Sequence, residues 1–158
     1  MIIQGSLQMS SEKILETSDF IDFIDSSLEE VIRQADLPIK LKNGNFRFQK
    51  YLVKKNHQTD HFDIIHLPTK TIIANAFLKT TAFIVVNKHK RRQNFDSVIS
   101  HDKEFLKNYA DCQFFKYTIK NSKEDIKRDS ALYRFEICAD RAIYYKEVIE
   151  RELRAFMR

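Results

Sequence analysis

Histidine and aspartate are concentrated in one ten-residue stretch of the chain, from His57 to His66. If residues 61 to 66 form a strand, His61 and Asp63 lie on the same face, because side chains alternate along a strand. An imidazole and a carboxylate on one face can bind the same metal ion, and His57 could join them from the preceding loop. This pattern predicts a metal-dependent hydrolase as one candidate function. A polar loop that leads into a half-exposed strand explains the same residues without a metal.

The middle of the chain carries a strong excess of positive charge. Residues 37 to 92 contain twelve basic and two acidic side chains, a net charge of +10. Basic side chains contact phosphates, and an aromatic residue on a sheet face, such as Tyr51, can stack on an unpaired base. The alternative function that this predicts is the binding of single-stranded nucleic acid without sequence readout. The basic residues assigned to it are Lys50, Lys54, Lys55, Lys88, Arg91 and Arg92.

The beginning of the chain has the opposite charge. Residues 1 to 36 contain two basic and eight acidic side chains, a net charge of −6. An acidic and a basic block in one small chain can neutralise each other within the fold or between two copies. Both arrangements leave less positive surface for a polyanion, which weakens the nucleic-acid hypothesis.

Apolar spacing in the last third predicts two helices, from Asp96 to Lys120 and from Glu124 to Phe156, joined by a turn at Asn121 and Ser122. The second helix has two apolar stripes, interrupted once by Lys146. The first stripe contains Leu132, Phe135, Ala139, Ala142, Ile149, Leu153 and Phe156, and the second contains Tyr133, Ile137, Tyr144 and Val148. Because the preceding helix can cover only one stripe, the second must contact the sheet or another copy of the chain.

The elements before this helical hairpin are predicted from spacing and turn residues. Residues 18 to 36 have the period of an acidic amphipathic helix, after a loosely ordered start at residues 1 to 17. Asn43-Gly44 predicts a tight hairpin turn, because both residues accept positive φ. That turn joins a strand over residues 39 to 42 with one over residues 46 to 54.

Two more strands, residues 62 to 67 and 71 to 74, complete a small antiparallel meander of three or four strands. Thr80 or Thr81 then caps a helix that ends in a run of basic residues. The predicted fold is therefore α+β, a single domain over residues 1–158. It combines a basic meander and helix over residues 39–92 with a C-terminal helical hairpin over residues 95–157.

The composition excludes several kinds of site. With only two glycines, Gly5 and Gly44, the chain cannot form a glycine-rich phosphate loop, and it has no HExxH motif. Cys112 and Cys138 lie in predicted helices without metal-ligand neighbours, so we expect free buried thiols in a reducing compartment. No signal peptide and no membrane span is recognisable, which predicts a cytoplasmic protein. We also expect no cofactor.

One sequence pattern is similar to that of a known group. It consists of Phe46, Tyr51 and Val53, then Phe62-Asp63-Ile64-Ile65, Pro68-Thr69, Ile72-Ile73-Ala74, Thr81-Ala82 and Ile84-Val85. Over residues 46 to 86 the chain resembles small uncharacterised proteins of tailed bacteriophages that infect marine bacteria. The resemblance implies a short hairpin that leads into a helix, and a host cytoplasm as the location. It implies no catalytic or binding residue.

The sequence favours a non-enzymatic module for protein interaction or assembly. We expect it to form a homo-oligomer or to dock a protein partner through the C-terminal helices. The residues predicted to form this interface are Tyr133, Ile137, Tyr144 and Val148. Single-stranded nucleic acid is the alternative partner, and no membrane is expected.

Overall fold

The computed structural model describes residues 39 to 40 and 44 to 156. The predicted acidic helix over residues 18 to 36 and the loosely ordered start over residues 1 to 17 lie outside this part of the chain. The described residues form an α+β fold, as predicted, with an antiparallel sheet and three helices.

The sheet is a meander in which each strand pairs with the next along the chain. All four pairings are antiparallel. The strands are β1 (Ile39–Lys40), β2 (Phe46–Arg47), β3 (Tyr51–Asn56), β4 (His61–His66) and β5 (Thr71–Ala76). Since short antiparallel strands can be joined by tight turns, 38 residues from β1 to β5 suffice for the whole sheet.

The predicted continuous strand over residues 46 to 54 is wrong. The chain reverses after Arg47, and the Phe48 amide donates to the Tyr51 carbonyl at 2.9 Å. As a result β3 folds back on β2, with Phe46 opposite Val53. The turn contains no glycine, proline or asparagine, so composition gives no signal for it.

The β3–β4 and β4–β5 hairpins also close without glycine. Asp60 and Lys70 take the positive φ that each loop requires, with φ of 61° and 55°. In the first loop the Asn56 side-chain oxygen accepts hydrogen bonds from the amides of Gln58 and Thr59, at 3.0 and 3.2 Å. The Asn56 side chain thus stabilises a turn that contains no glycine.

The first helix, α1 (Lys79–Lys90), lies between the sheet and the other helices. Every residue from Thr80 to Val86 is buried. The predicted cap by Thr80 or Thr81 is wrong, because the helix begins at Lys79 and Leu78 at its N-cap makes no side-chain cap bond. Helix α1 contacts β4 and β5 on one side and the C-terminal helices on the other.

The last two helices, α2 (Asp96–Asn121) and α3 (Asp125–Phe156), pack closely along their length and confirm the predicted hairpin. Lys146, which interrupts the first stripe, is buried and forms a 3.0 Å ion pair with Glu150. The buried apolar residues of the hairpin are Val98, Phe105, Cys112, Ala131, Phe135, Cys138, Ala139, Ala142, Ile149 and Leu153. None of the three described helices combines the length and the apolar character that a membrane span needs.

Candidate functional site

The four residues Tyr133, Ile137, Tyr144 and Val148 form a row on α3, which we call the outer stripe. They follow one another at intervals of four, seven and four residues, so that they share one helix face. Tyr133 and Tyr144 are 67% and 56% exposed, and Ile137 and Val148 are half-buried. The predicted second stripe therefore lies at the surface, where neither α2 nor the sheet covers its two tyrosines.

The opposite face of α3 explains why the outer stripe is left uncovered. Phe135, Ala142 and Ile149 point into the core and have at most 1% of their surface exposed. Helix α3 contacts both α1 and α2, and its buried apolar residues lie on this face. Leu132 of the first stripe is 37% exposed, but burial of Phe135, Ala142 and Ile149 is enough to direct the second stripe outward.

An acidic row borders one side of the outer stripe. Acidic residues occur four positions before and three positions after each of the two tyrosines. At 100° per residue these two offsets fall on the same side of the helix face. The row, exposed throughout, consists of Asp129, Glu136, Asp140 and Glu147.

A basic row borders the other side. Arg134 and Arg141 lie three residues before and four residues after Ile137, and Lys127 continues the row seven residues before Arg134. The acidic residues lie four positions before and three after a stripe residue, whereas the two arginines lie three before and four after one. The cations and the carboxylates therefore lie on opposite sides of the stripe. All three side chains are exposed, and the Arg134 guanidinium lies 6.0 Å from the Phe115 ring centroid.

The predicted nucleic-acid residues do not form one continuous surface. Lys54 is exposed on β3, whereas the neighbouring Lys55 forms a 3.0 Å ion pair with Asp60. Lys88, half-buried on α1, forms a 2.6 Å ion pair with Glu152 of α3. Carboxylates therefore already neutralise two of the six cations.

Lys50 and Arg92 are brought together, although 42 positions separate them in the chain. Both line one cavity, whose wall also includes His66 and His89. Sequence reasoning missed this pair of histidines, because one lies on a strand and the other near the end of a helix. Arg91 is exposed next to Arg92, but it is not among the residues that line the cavity.

Tyr51 does not present its ring for base stacking, and that part of the nucleic-acid hypothesis is wrong. Its side chain is 3% exposed and its hydroxyl hydrogen-bonds Nδ1 of His89 at 2.5 Å. Burial raises the pKa of this tyrosine. Because the strand breaks after Arg47, Tyr51 belongs to the core face of β3.

The histidines and the aspartate proposed as metal ligands have other surroundings. His57 is exposed in the loop between β3 and β4, and Nδ1 of His61 lies 2.7 Å from the Thr59 carbonyl. Asp63 accepts a hydrogen bond from the side-chain amide of Asn75. Across the described ranges, no three His, Cys, Asp or Glu side chains come together in a way that could hold a metal ion.

Comparison with known proteins gives no further identification. The chain matches no family model, no curated protein and no solved structure. The resemblance to bacteriophage proteins therefore stays a prediction. The features that indicate a function are the outer stripe and the cavity lined by Lys50 and Arg92.

Proposed function

We propose that this protein is an assembly module that self-associates through the outer stripe of α3. The observation that carries the proposal is the exposure of Tyr133 and Tyr144 on a helix whose opposite face is fully packed. Tyrosine supplies a large apolar contact area with a polar tip, and it is enriched where proteins bind one another. A second copy of α3 presents the same row of residues and can pack against it.

The two charged rows favour a second copy over an unrelated partner. In a parallel pair of α3 helices, the two-fold axis runs along the helices. It brings the acidic row of each copy next to the basic row of the other, as the flanking positions do in parallel coiled coils. In an antiparallel pair each row would face itself, which places like charges together. The self-complementary charge pattern therefore supports a parallel homodimer.

Replacing Tyr144 by aspartate tests this proposal. Tyr144→Asp puts a charge in the centre of the interface, and we expect at least about tenfold weaker association, as for a central aromatic contact. The measurement is the mass by light scattering after size exclusion, over a range of protein concentrations. Wild type should have the mass of a dimer, and Tyr144→Asp should shift toward 18.8 kDa, the mass of one chain.

Tyr117→Asp is the matched control. Tyr117 is as exposed as Tyr133, but it belongs to α2 and not to the outer stripe of α3. This variant should keep the wild-type mass, and circular dichroism should show that both variants remain folded. Wild type that stays monomeric at the highest concentration would refute self-association, and so would a Tyr144→Asp variant that stays dimeric.

A further inference from the structure

A basic cavity opens where β3 begins, β4 ends and α1 ends. Its volume is about 640 Å³, within the range of small-molecule sites. None of the residues that line it is acidic. They are Gln49, Lys50, Tyr51, His66, His89, Lys90, Arg92 and Gln93.

The two histidines in this cavity are held in a fixed arrangement. Nδ1 of His89 hydrogen-bonds the Tyr51 hydroxyl at 2.5 Å, and Nδ1 of His66 lies 2.8 Å from the Thr69 hydroxyl. The centroids of the two imidazole rings are 5.0 Å apart. Among the described residues, Nε2 of each ring has no hydrogen-bond partner, so both nitrogens can bind a ligand.

Three permanent cations surround the imidazoles. Lys50 belongs to the turn before β3. Lys90 is the last residue of α1, and Arg92 lies two residues further along the chain. Arg92 has a φ of 56°, and its amide donates to the His89 carbonyl at 3.1 Å. The turn of the backbone after α1 therefore places Arg92 on the cavity wall.

We propose that this cavity binds a phosphate group, supplied by a nucleotide or by a single-stranded nucleic acid. Lysine and arginine form charge-assisted hydrogen bonds with phosphate oxygens, and the glutamine amides and imidazole nitrogens add further donors. The site is independent of the outer stripe, because it uses β3, β4 and the end of α1. It replaces the extended basic surface predicted from the sequence by a single concave site.

The histidine pair makes this binding pH-dependent. Burial, and secondarily the charge of His66, lowers the pKa of His89 below its usual value, so this ring is harder to protonate in the free protein than an ordinary histidine. The groups around His89 are Tyr51 on β3, His66 on β4 and the cations Lys50, Lys90 and Arg92. A bound phosphate offsets their positive charge and favours the protonated ring, so affinity should rise as the pH falls toward 5.5.

The test is a titration of the full-length protein with four probes at low salt. Fluorescence anisotropy follows a labelled ten-nucleotide oligothymidine with and without a 5′ phosphate, and calorimetry follows inorganic phosphate and adenosine monophosphate. Binding that requires the 5′ phosphate identifies a terminal phosphate, whereas equal binding of both oligonucleotides identifies the backbone phosphates. The pH series uses the oligonucleotide without a 5′ phosphate, because phosphodiesters keep their charge in this range. Failure of all four probes to bind would overturn the proposal.

The decisive variant combines Lys50→Gln with Arg92→Asn. Asparagine tolerates positive φ, so this change removes the cation without straining the backbone. We expect about tenfold weaker binding or more, as for the loss of charge-assisted contacts. Lys54→Gln removes one exposed cation from the opposite face of the sheet and should change affinity less than about twofold. Equal weakening by both variants would overturn the cavity as the site, since it would indicate only general charge attraction.

Discussion

At the scale of single residues, Asp102 shows how one buried carboxylate can join two distant parts of the chain. It lies on α2 and accepts hydrogen bonds from the amides of Phe77 and Leu78, at 2.7 and 3.0 Å. These amides belong to the two residues directly before α1, so Asp102 fixes the position at which the chain enters this helix. Burial raises the pKa of this carboxyl group, while the two amide hydrogen bonds oppose the rise.

Replacing Asp102 tests the importance of this contact. Asp102→Ala leaves two buried amide donors without their acceptor, and we expect a loss of about 3 kcal/mol in the free energy of unfolding. Asp102→Asn keeps one side-chain oxygen and should lose about half as much. Urea denaturation followed by circular dichroism measures both changes. Two variants as stable as wild type would show that Asp102 does not hold the start of α1.

The sequence could not reveal this role. It places Asp102 in the second turn of a helix, where a carboxylate favours the helix dipole, and that property requires no distant partner. The amides it binds lie 25 and 24 residues earlier in the chain. Helical spacing relates residues three and four apart, so no periodic pattern connects Asp102 with the start of α1.

At the scale of elements, the hairpin between β4 and β5 depends on a residue in an unfavourable conformation. Lys70 is exposed and has a φ of 55°, the left-handed region that disfavours a side chain. Its amide donates to the Leu67 carbonyl at 3.2 Å, which closes the loop. The chain thus adopts at Lys70 a turn that glycine would form without strain.

Two substitutions of Lys70 separate backbone strain from side-chain loss. Lys70→Gly should increase the free energy of unfolding by up to about 1 kcal/mol, because it removes the cost of the left-handed conformation. Lys70→Ala removes the same long side chain but keeps Cβ, so its stability should stay near that of wild type. Chemical denaturation of the two variants makes the comparison, and equal stabilities would contradict the role assigned to this φ.

The elements also differ in how far the sequence predicted them. The hairpin of α2 and α3 was predicted because more than 20 residues in each helix repeat the same apolar period. The strand over residues 46 to 54 is predicted from the Asn43-Gly44 turn and from alternation, and the reversal at Gln49 and Lys50 carries no residue type that marks it. The cavity was missed for a related reason, because it joins a turn, two strands and a helix end that share no sequence pattern.

At the scale of the whole molecule, the proposed parallel homodimer leads to a prediction about symmetry. Ser130 is exposed and lies between Ile126 and Tyr133 on the same helix face. In a parallel pair each residue on this face meets its own counterpart, whereas in an antiparallel pair centred near Asp140 it would meet a residue about twenty positions away. The position of a cross-link therefore distinguishes the two orientations.

Cysteine cross-linking measures this orientation. Ser130→Cys should form a disulfide between two copies on mild oxidation, visible as a dimer on a non-reducing gel. Ser97→Cys, an exposed position on α2, is the control and should stay monomeric on the gel. The native thiols should not interfere, because burial raises the pKa of Cys112 to about 12 and also raises that of Cys138. A dimeric protein that does not cross-link through residue 130 would contradict the parallel arrangement.

The position of α1 has a consequence for the cooperativity of folding. Seven consecutive residues of this helix, from Thr80 to Val86, are enclosed by the sheet on one side and by the hairpin on the other. Neither layer can detach without exposing this segment to water, so the strands and the long helices are thermodynamically coupled into one unit. The amides of α1 should accordingly exchange with solvent only when the whole domain opens, and a fragment that lacked either layer would leave an aggregation-prone apolar helix uncovered.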